Sequence, residues 1–125
     1  MITEKQFTTT NAEMVRNGAS DKALYRYRSI YKIASNNWQL KKFSVDRWEI
    51  AKKIYNTVKR MWHYKDLNLE YDSLMTTRGE KLSNYYSKKE DKEIKKIKPL
   101  IKKLNLKLTF STFAHIEDSR GNQII

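Results

Sequence analysis

Ser44-Val45-Asp46-Arg47-Trp48-Glu49-Ile50-Ala51-Lys52-Lys53-Ile54-Tyr55-Asn56-Thr57-Val58-Lys59-Arg60-Met61-Trp62-His63-Tyr64 is the stretch on which the fold turns. Val45, Trp48, Ala51, Ile54, Tyr55, Val58, Met61 and Trp62 recur at steps of three and four, which places them on one face of a helix. The other face carries Arg47, Lys52, Lys53, Asn56, Lys59, Arg60 and His63. Ser44 stands where a side-chain oxygen can accept from the free N–H groups of a first turn. The spacing therefore predicts a helix over 45–64, apolar inward and basic outward. Trp48, Tyr55 and Trp62 are expected in the core, with Tyr27 and Tyr31 from the preceding segment.

Upstream, Ser20 or Asp21 can cap a second amphipathic helix. Its stripe is Ala23, Leu24, Tyr27, Ile30, Tyr31 and Ala34, and Ser35-Asn36-Asn37 ends it. Residues 1–19 show no clear period and read as a loose or partly helical arm. Downstream, Leu67-Asn68-Leu69-Glu70-Tyr71 alternates apolar and polar, the period of a short strand. Asp72 or Thr77 starts the next helix, and Thr77-Arg78-Gly79-Glu80 fits a capping box. Ser87-Lys88-Lys89-Glu90 fits a second one, and the apolar face lapses between Tyr86 and Ile94, so a break is expected near Ser87. Pro99 lacks an N–H, so a kink or restart is expected there. Leu106, Leu108 and Phe110 then alternate with polar residues in a run reaching Ile116. Asp118-Ser119-Arg120-Gly121-Asn122 reads as a turn, and Gln123-Ile124-Ile125 as the start of a return strand.

These elements describe one domain over 1–125, with an N-terminal arm (1–19), a helical body (20–104) and a β-hairpin (106–125). The class is mainly α with a small C-terminal β-hairpin, α+β. From residue 43 the order is helix, short strand, helix, helix, strand, turn, strand, which resembles the winged helix-turn-helix superfamily. The resemblance implies a DNA-binding domain, with 73–86 and 88–104 as the helix-turn-helix and 106–125 as the wing. The alternative is an irregular helical bundle with a terminal hairpin.

Charge points the same way. Lys and Arg number 26 against 14 acids, a net +12 over 125 residues. Residues 41–65 carry +6 and 88–107 another +6, whereas 66–87 carry −2 and 108–125 carry −1. Concentration of the excess on helices suits phosphate binding. The candidate contacts are Lys52, Lys53, Lys59 and Arg60 in the first segment and Lys88, Lys89, Lys92, Lys95, Lys96, Lys102 and Lys103 in the second. Arg26, Arg28 and Arg120 are auxiliary: the first two for Tyr25-Arg26-Tyr27-Arg28, whose exposed Tyr25 suits stacking or an interface, and Arg120 for a reach into a minor groove. Residues 87–104 contain no Arg, Asn or Gln, the residues that most often read base edges, so this segment is expected to hold backbone rather than sequence.

Other classes recede. With no cysteine there is neither disulfide nor thiolate metal site, and a reducing, cytoplasmic setting is expected. Met1 to Lys5 form no apolar leader, and no apolar run approaches a membrane span. His63 and His115 have no metal-pair spacing, and a nuclease centre of His115, Glu117 and Asp118 has only proximity in its favour. No enzyme, metal or cofactor is expected. Richness in Lys, Asn, Ile and Tyr is what AT-rich coding gives, as in a phage or plasmid of a low-GC bacterium. The leading expectation is a DNA-binding accessory or regulatory protein gripping duplex phosphates. The alternatives are a small inhibitor or subunit docking on a nucleoprotein enzyme, and an RNA- or single-strand-binding subunit.

Overall fold

The computed structural model describes residues 1–125. In order, the elements are β1 (Ile2–Thr3), α1 (Glu4–Arg16), α2 (Asp21–Ala34), β2 (Lys42–Phe43), α3 (Val45–Asp72), α4 (Thr77–Lys103), β3 (Lys107–Phe110) and β4 (Ala114–Glu117). The protein is mainly helical, with two small antiparallel pairs, β1–β2 and β3–β4. No helix is long and apolar enough to cross a membrane. The predicted caps of α2 and α3 are in place: Ser20 accepts from the Ala23 N–H and Ser44 from the Arg47 N–H.

The N-terminal arm is a folded element. Thr3-Glu4-Lys5-Gln6 forms a capping box, in which the Thr3 hydroxyl accepts from the Gln6 N–H and the Gln6 side chain accepts from the Thr3 N–H. Helix α1 buries one residue, Phe7, which stacks on Tyr31 with ring centroids 4.0 Å apart. A single anchor in a helix leaves no period to read, which is why the stretch looked loose.

Two further expectations change together. Leu67–Tyr71 is not a strand but the last turns of α3, where Asn68 Nδ2 donates to the Ser83 carbonyl and hydroxyl, each at 2.8 Å. Helix α4 begins after Thr76, which caps it in place of Thr77, and runs unbroken through Ser87 and Pro99. The strand and the break that the winged-helix resemblance uses are thus replaced by one long antiparallel helical hairpin. Its turn is closed by Gly79, where a Cβ would lie 2.5 Å from the Tyr71 carbonyl oxygen.

The lapse in the apolar face of α4 has a different cause from a break. The core is a cluster of 19 buried apolar residues, among them Tyr31, Ile54, Val58, Met61, Ile97, Ile101 and Ile116. On α3 it ends at Met61 and on α4 it begins at Ile97, with only Trp62 and Ile94 packed at its edge. Beyond these residues the two helices pack on each other alone, as an arm projecting from the body. Tyr55 and Tyr31 are inside the core as expected, while Tyr27, Trp48 and Trp62 are only partly buried at its rim. The Trp62 indole N–H donates to the Ala114 carbonyl at 2.6 Å, tying α3 to β4.

At the C-terminus, α4 ends in a Schellman motif. Asn105 adopts φ +57°, its N–H bonds Lys102 O, and the Leu106 N–H bonds Ile101 O. The hairpin then turns at 111–113 rather than at 118, and Asp118–Asn122 forms a second turn. The return strand survives as a bridge between Glu117 and Gln123 and backbone bonds of Ile124 and Ile125 to Ile116. Both isoleucines are buried. Asp118 is wholly buried, accepting from the N–H groups of Arg120 at 2.8 Å and Asn122 at 2.9 Å and from Asn37 Nδ2 at 3.1 Å. Asn36 bonds Ser119 in the same contact. These bonds, together with those of the Asn36, Asn37 and Trp38 N–H groups to Ile33 O, Lys32 O and the Ser35 hydroxyl, hold three consecutive residues with φ of +54°, +56° and +71°. Asparagine tolerates that region; tryptophan does so only under constraint.

Candidate nucleic-acid interface

On α4, Arg78, Tyr85, Lys89, Lys92, Lys96 and Lys103 follow at steps of seven, four, three, four and seven. In one continuous helix these positions lie on a single face. On α3, Lys53, Thr57, Arg60, Tyr64 and Tyr71 do the same. Contacts show that the two stripes flank one side of the hairpin. Arg60 Nε donates to Glu93 Oε2 at 3.1 Å, Lys96 Nζ lies 3.4 Å from Glu93 Oε1, and Arg60 also donates to the Thr57 hydroxyl. Farther out, Tyr86 stacks on Tyr64 and Tyr71 with centroids 6.3 and 5.7 Å away.

The acids of the arm avoid this side. Asp66, Glu70, Glu80, Glu90 and Asp91 are turned away from both stripes by a helix rotation of about 100° or more. Glu90 looks across to the other side: burial raises its pKa, against the opposing pull of Lys65. Glu93 is the one acid at the groove, nearly buried and held by Arg60 and Lys96. Only five cations of the protein form salt bridges: Lys41, Lys52, Arg60, Lys96 and Arg120. Lys53, Lys89, Lys92 and Lys103 therefore stand outside any salt bridge, Lys89 and Lys92 about one turn apart and Lys103 about three turns beyond Lys92.

The residues expected from the sequence do not form one patch. Lys53, Arg60, Lys89, Lys92, Lys96 and Lys103 share the groove side. Lys88, Lys95 and Lys102, spaced by seven, form a separate outer ridge on α4. On the remaining flank of α3, Lys52 pairs with Glu49 and Lys59 sits 5.3 Å from the Trp62 ring centroid. Arg26 lies over Tyr55 in α3, whereas Arg28, two residues on, bonds Asn11 of α1. A two-residue step in a helix turns a side chain through about 200°, so the pair cannot serve one ligand face. Arg120 is not at the tip of the β-hairpin. It sits in the second turn, with its guanidinium 3.4 Å from Asp118. Asp118 is turned into the contact with Asn37 and Arg120, away from His115 and Glu117.

Two roles were missed in the sequence. Arg47, part of the basic face by periodicity, instead donates to Ala34 O and to Leu104 O, and joins the ends of α2 and α4. Burial lowers its pKa below the usual arginine value. Arg78 and the tyrosines of the arm were not singled out, because their common face exists only if α4 is continuous. No protein-family model, curated protein or solved structure matches this chain.

Proposed function

We propose that this protein is a non-enzymatic DNA-binding accessory or regulatory protein that grips duplex phosphates with the groove side of its α3–α4 hairpin. The observation that carries the reading is the run of Lys53, Arg60, Lys89, Lys92, Lys96 and Lys103 along one side, where the acids are Glu93 and, seven residues before Lys53, Asp46. Clustered cations release condensed counterions when they meet a polyanion, and that release is the main source of sequence-independent affinity. The grip needs no wing. The candidate face contains five lysines and two arginines, Arg60 held by Glu93 and Arg78 at its outer end, a lysine-dominated composition that suits backbone contact more than base readout.

The experiment is binding of random-sequence duplex DNA as a function of salt. Six neutralised phosphates give a slope of log K against log salt of about −5. Changing Lys89, Lys92, Lys96 and Lys103 to Gln should flatten the slope by about 3–4 units, since each lost contact removes about 0.9. The outer-ridge set Lys88, Lys95 and Lys102, changed likewise, should remove about 1 unit or less. Equal effects from the two sets would overturn the groove assignment. Affinity no tighter than about millimolar near physiological salt, weaker than ordinary non-specific binding, would overturn the DNA reading.

A second reading, docking on a nucleoprotein enzyme, draws on the end of the arm. Leu69, Leu74 and Met75 are exposed there to 40%, 56% and 94%. Such a tip can enter an apolar pocket on a partner. Retained capture of one host protein after nuclease treatment, lost on Met75→Asp, would favour it.

A further inference from the structure

Four tyrosines crowd the outer half of the groove side. Tyr71 and Tyr86 are stacked with an interplanar angle of 9°, Tyr64 stacks on Tyr86, and Tyr85 meets Tyr86 edge-on at 5.1 Å. Tyr85 is 51% exposed, and Lys89 Nζ lies 5.3 Å from its ring centroid. None of the four belongs to the core cluster. Tyr64, Tyr71 and Tyr86 pack α3 and α4 of the arm together, whereas Tyr85 lies open to solvent, and the lysine run begins within about one turn of it.

We propose that Tyr85, backed by the stacked rings of Tyr64, Tyr71 and Tyr86, forms a stacking platform for unpaired bases of a strand that continues from the duplex held by Lys89, Lys92 and Lys96. The ligand class is DNA with a junction between double and single strand. The inference rests on the duplex reading above and adds a substrate structure to it.

The argument is one of complementary faces. Bases inside a duplex are already stacked on each other and offer no open π-face to a tyrosine. Unpaired bases do, and they stack on aromatic side chains whatever their sequence. The ammonium group of Lys89 over Tyr85 places a phosphate partner beside the stacking surface, and the acids of the arm point elsewhere. Mutual packing of the rings holds them in position before binding, which lowers the entropy cost of ordering them. The scale also fits. Eleven residues separate Tyr85 from Lys96, about 16 Å along a helix, or roughly five steps of a duplex strand.

The test compares three DNAs: a blunt duplex, the same duplex with a short single-stranded extension, and one whose extension lacks bases but keeps its phosphates. The base-bearing extension should tighten binding by about tenfold over the abasic one. Tyr85→Ala should remove most of that gain, and Tyr85→Phe should keep it. Because Tyr85 is half exposed, its replacement leaves the core intact, and circular dichroism checks this directly. Equal binding of base-bearing and abasic extensions overturns the proposal, as does a gain that survives Tyr85→Ala. In either case a normal salt slope on blunt duplex leaves the duplex reading standing. Failure to bind even the blunt duplex removes that reading and this one with it.

Discussion

Arg60 and Glu93 meet across the groove between α3 and α4, Nε to Oε2 at 3.1 Å, where Glu93 is nearly buried and Arg60 about half exposed. The carboxylate also draws in Lys96. Glu93 thus joins the two helices and at the same time occupies two cations of the proposed interface.

Glu93→Gln should separate these effects. Without the competing carboxylate, Arg60 and Lys96 meet phosphates without first leaving Glu93, so duplex affinity should rise with the salt slope little changed. Stability should fall by about 1–2 kcal/mol, the scale of charge-assisted bonds discounted for the exposure of Arg60 and Lys96. Salt titrations and urea melts read the two changes. A loss of both affinity and stability would show that the pair shapes the groove more than it shields it.

Gly79→Ala tests how tightly the arm closes. Helix propensity alone favours Ala by about 1 kcal/mol. The added Cβ, however, would meet Tyr71 O at 2.5 Å and Thr76 Oγ1 at 3.0 Å. The expected net result is a loss of about 1–3 kcal/mol, as for other overpacked sites. It should be confined to the arm, so hydrogen exchange should accelerate over residues 67–85 while the amides of Ile54 and Val58 keep their protection.

The turn at Asp118 carries a pH dependence whose sign follows from its bonds. Burial pushes its pKa up, but the N–H groups of Asn122 and Arg120, the Asn37 amide and the Arg120 guanidinium outweigh burial and hold it at about 2, below the ordinary 3.8. A carboxyl with a depressed pKa stabilises the fold fully above its unfolded value and loses that contribution as pH falls toward its folded one. This part of the stability should therefore be flat above about pH 5 and decline from about pH 4 to about pH 2. Asp118→Asn should be less stable at neutral pH and should lack this part of the acid dependence in urea midpoints measured across the window.

Ile124→Ala distinguishes a wing from a core strand. The side chain is 6% exposed and belongs to the core cluster. Truncating it should cost about 2–4 kcal/mol, the range for buried isoleucine. The salt slope on duplex DNA should not change, because the tail lies off the groove side. A variant of full stability with weakened DNA binding would restore the tail to the interface.

Legibility in the sequence followed packing. Where a helix buries its stripe, as from Ala51 to Met61, the inward face was readable, although Val45 at its start is exposed and the helix runs on past 64 to Asp72. Where it packs on one neighbour only, the period weakens. Leu67-Asn68-Leu69-Glu70-Tyr71 then satisfies the strand alternation and the four-residue helical step alike, and the long-range bond from Asn68 to Ser83 decides between them. Ser87-Lys88-Lys89-Glu90 has the composition of a cap, yet a cap also needs a chain that leaves the helix, and no glycine or proline is near to make it do so. Placing a break there erased the phase relation between Arg78, Tyr85 and the lysines beyond, and the tyrosine patch with it. The lysines themselves were found by charge alone. Their division into a groove side and an outer ridge required the second helix. Thr3-Glu4-Lys5-Gln6, by contrast, was a readable capping box that lay in an otherwise uninformative stretch.

The run of Asn36, Asn37 and Trp38 has a consequence for the order in which the chain matures. Its left-handed backbone is held in part by Asp118 and Ser119, and the bond from Asn36 to Ser119 spans 83 residues. The bonds within 32–40 can form as α2 winds, but the contact with Asp118 and Ser119 must wait for the C-terminal turn, and the loop it closes is among the longest the chain can make. A nascent chain emerging from a ribosome can wind α1, α2 and α3 while the connection after α2 still lacks that contact. That connection gains its contacts with Asp118 and Ser119 only after those residues have emerged, so its closing reports that the turn at 118–122 is in place.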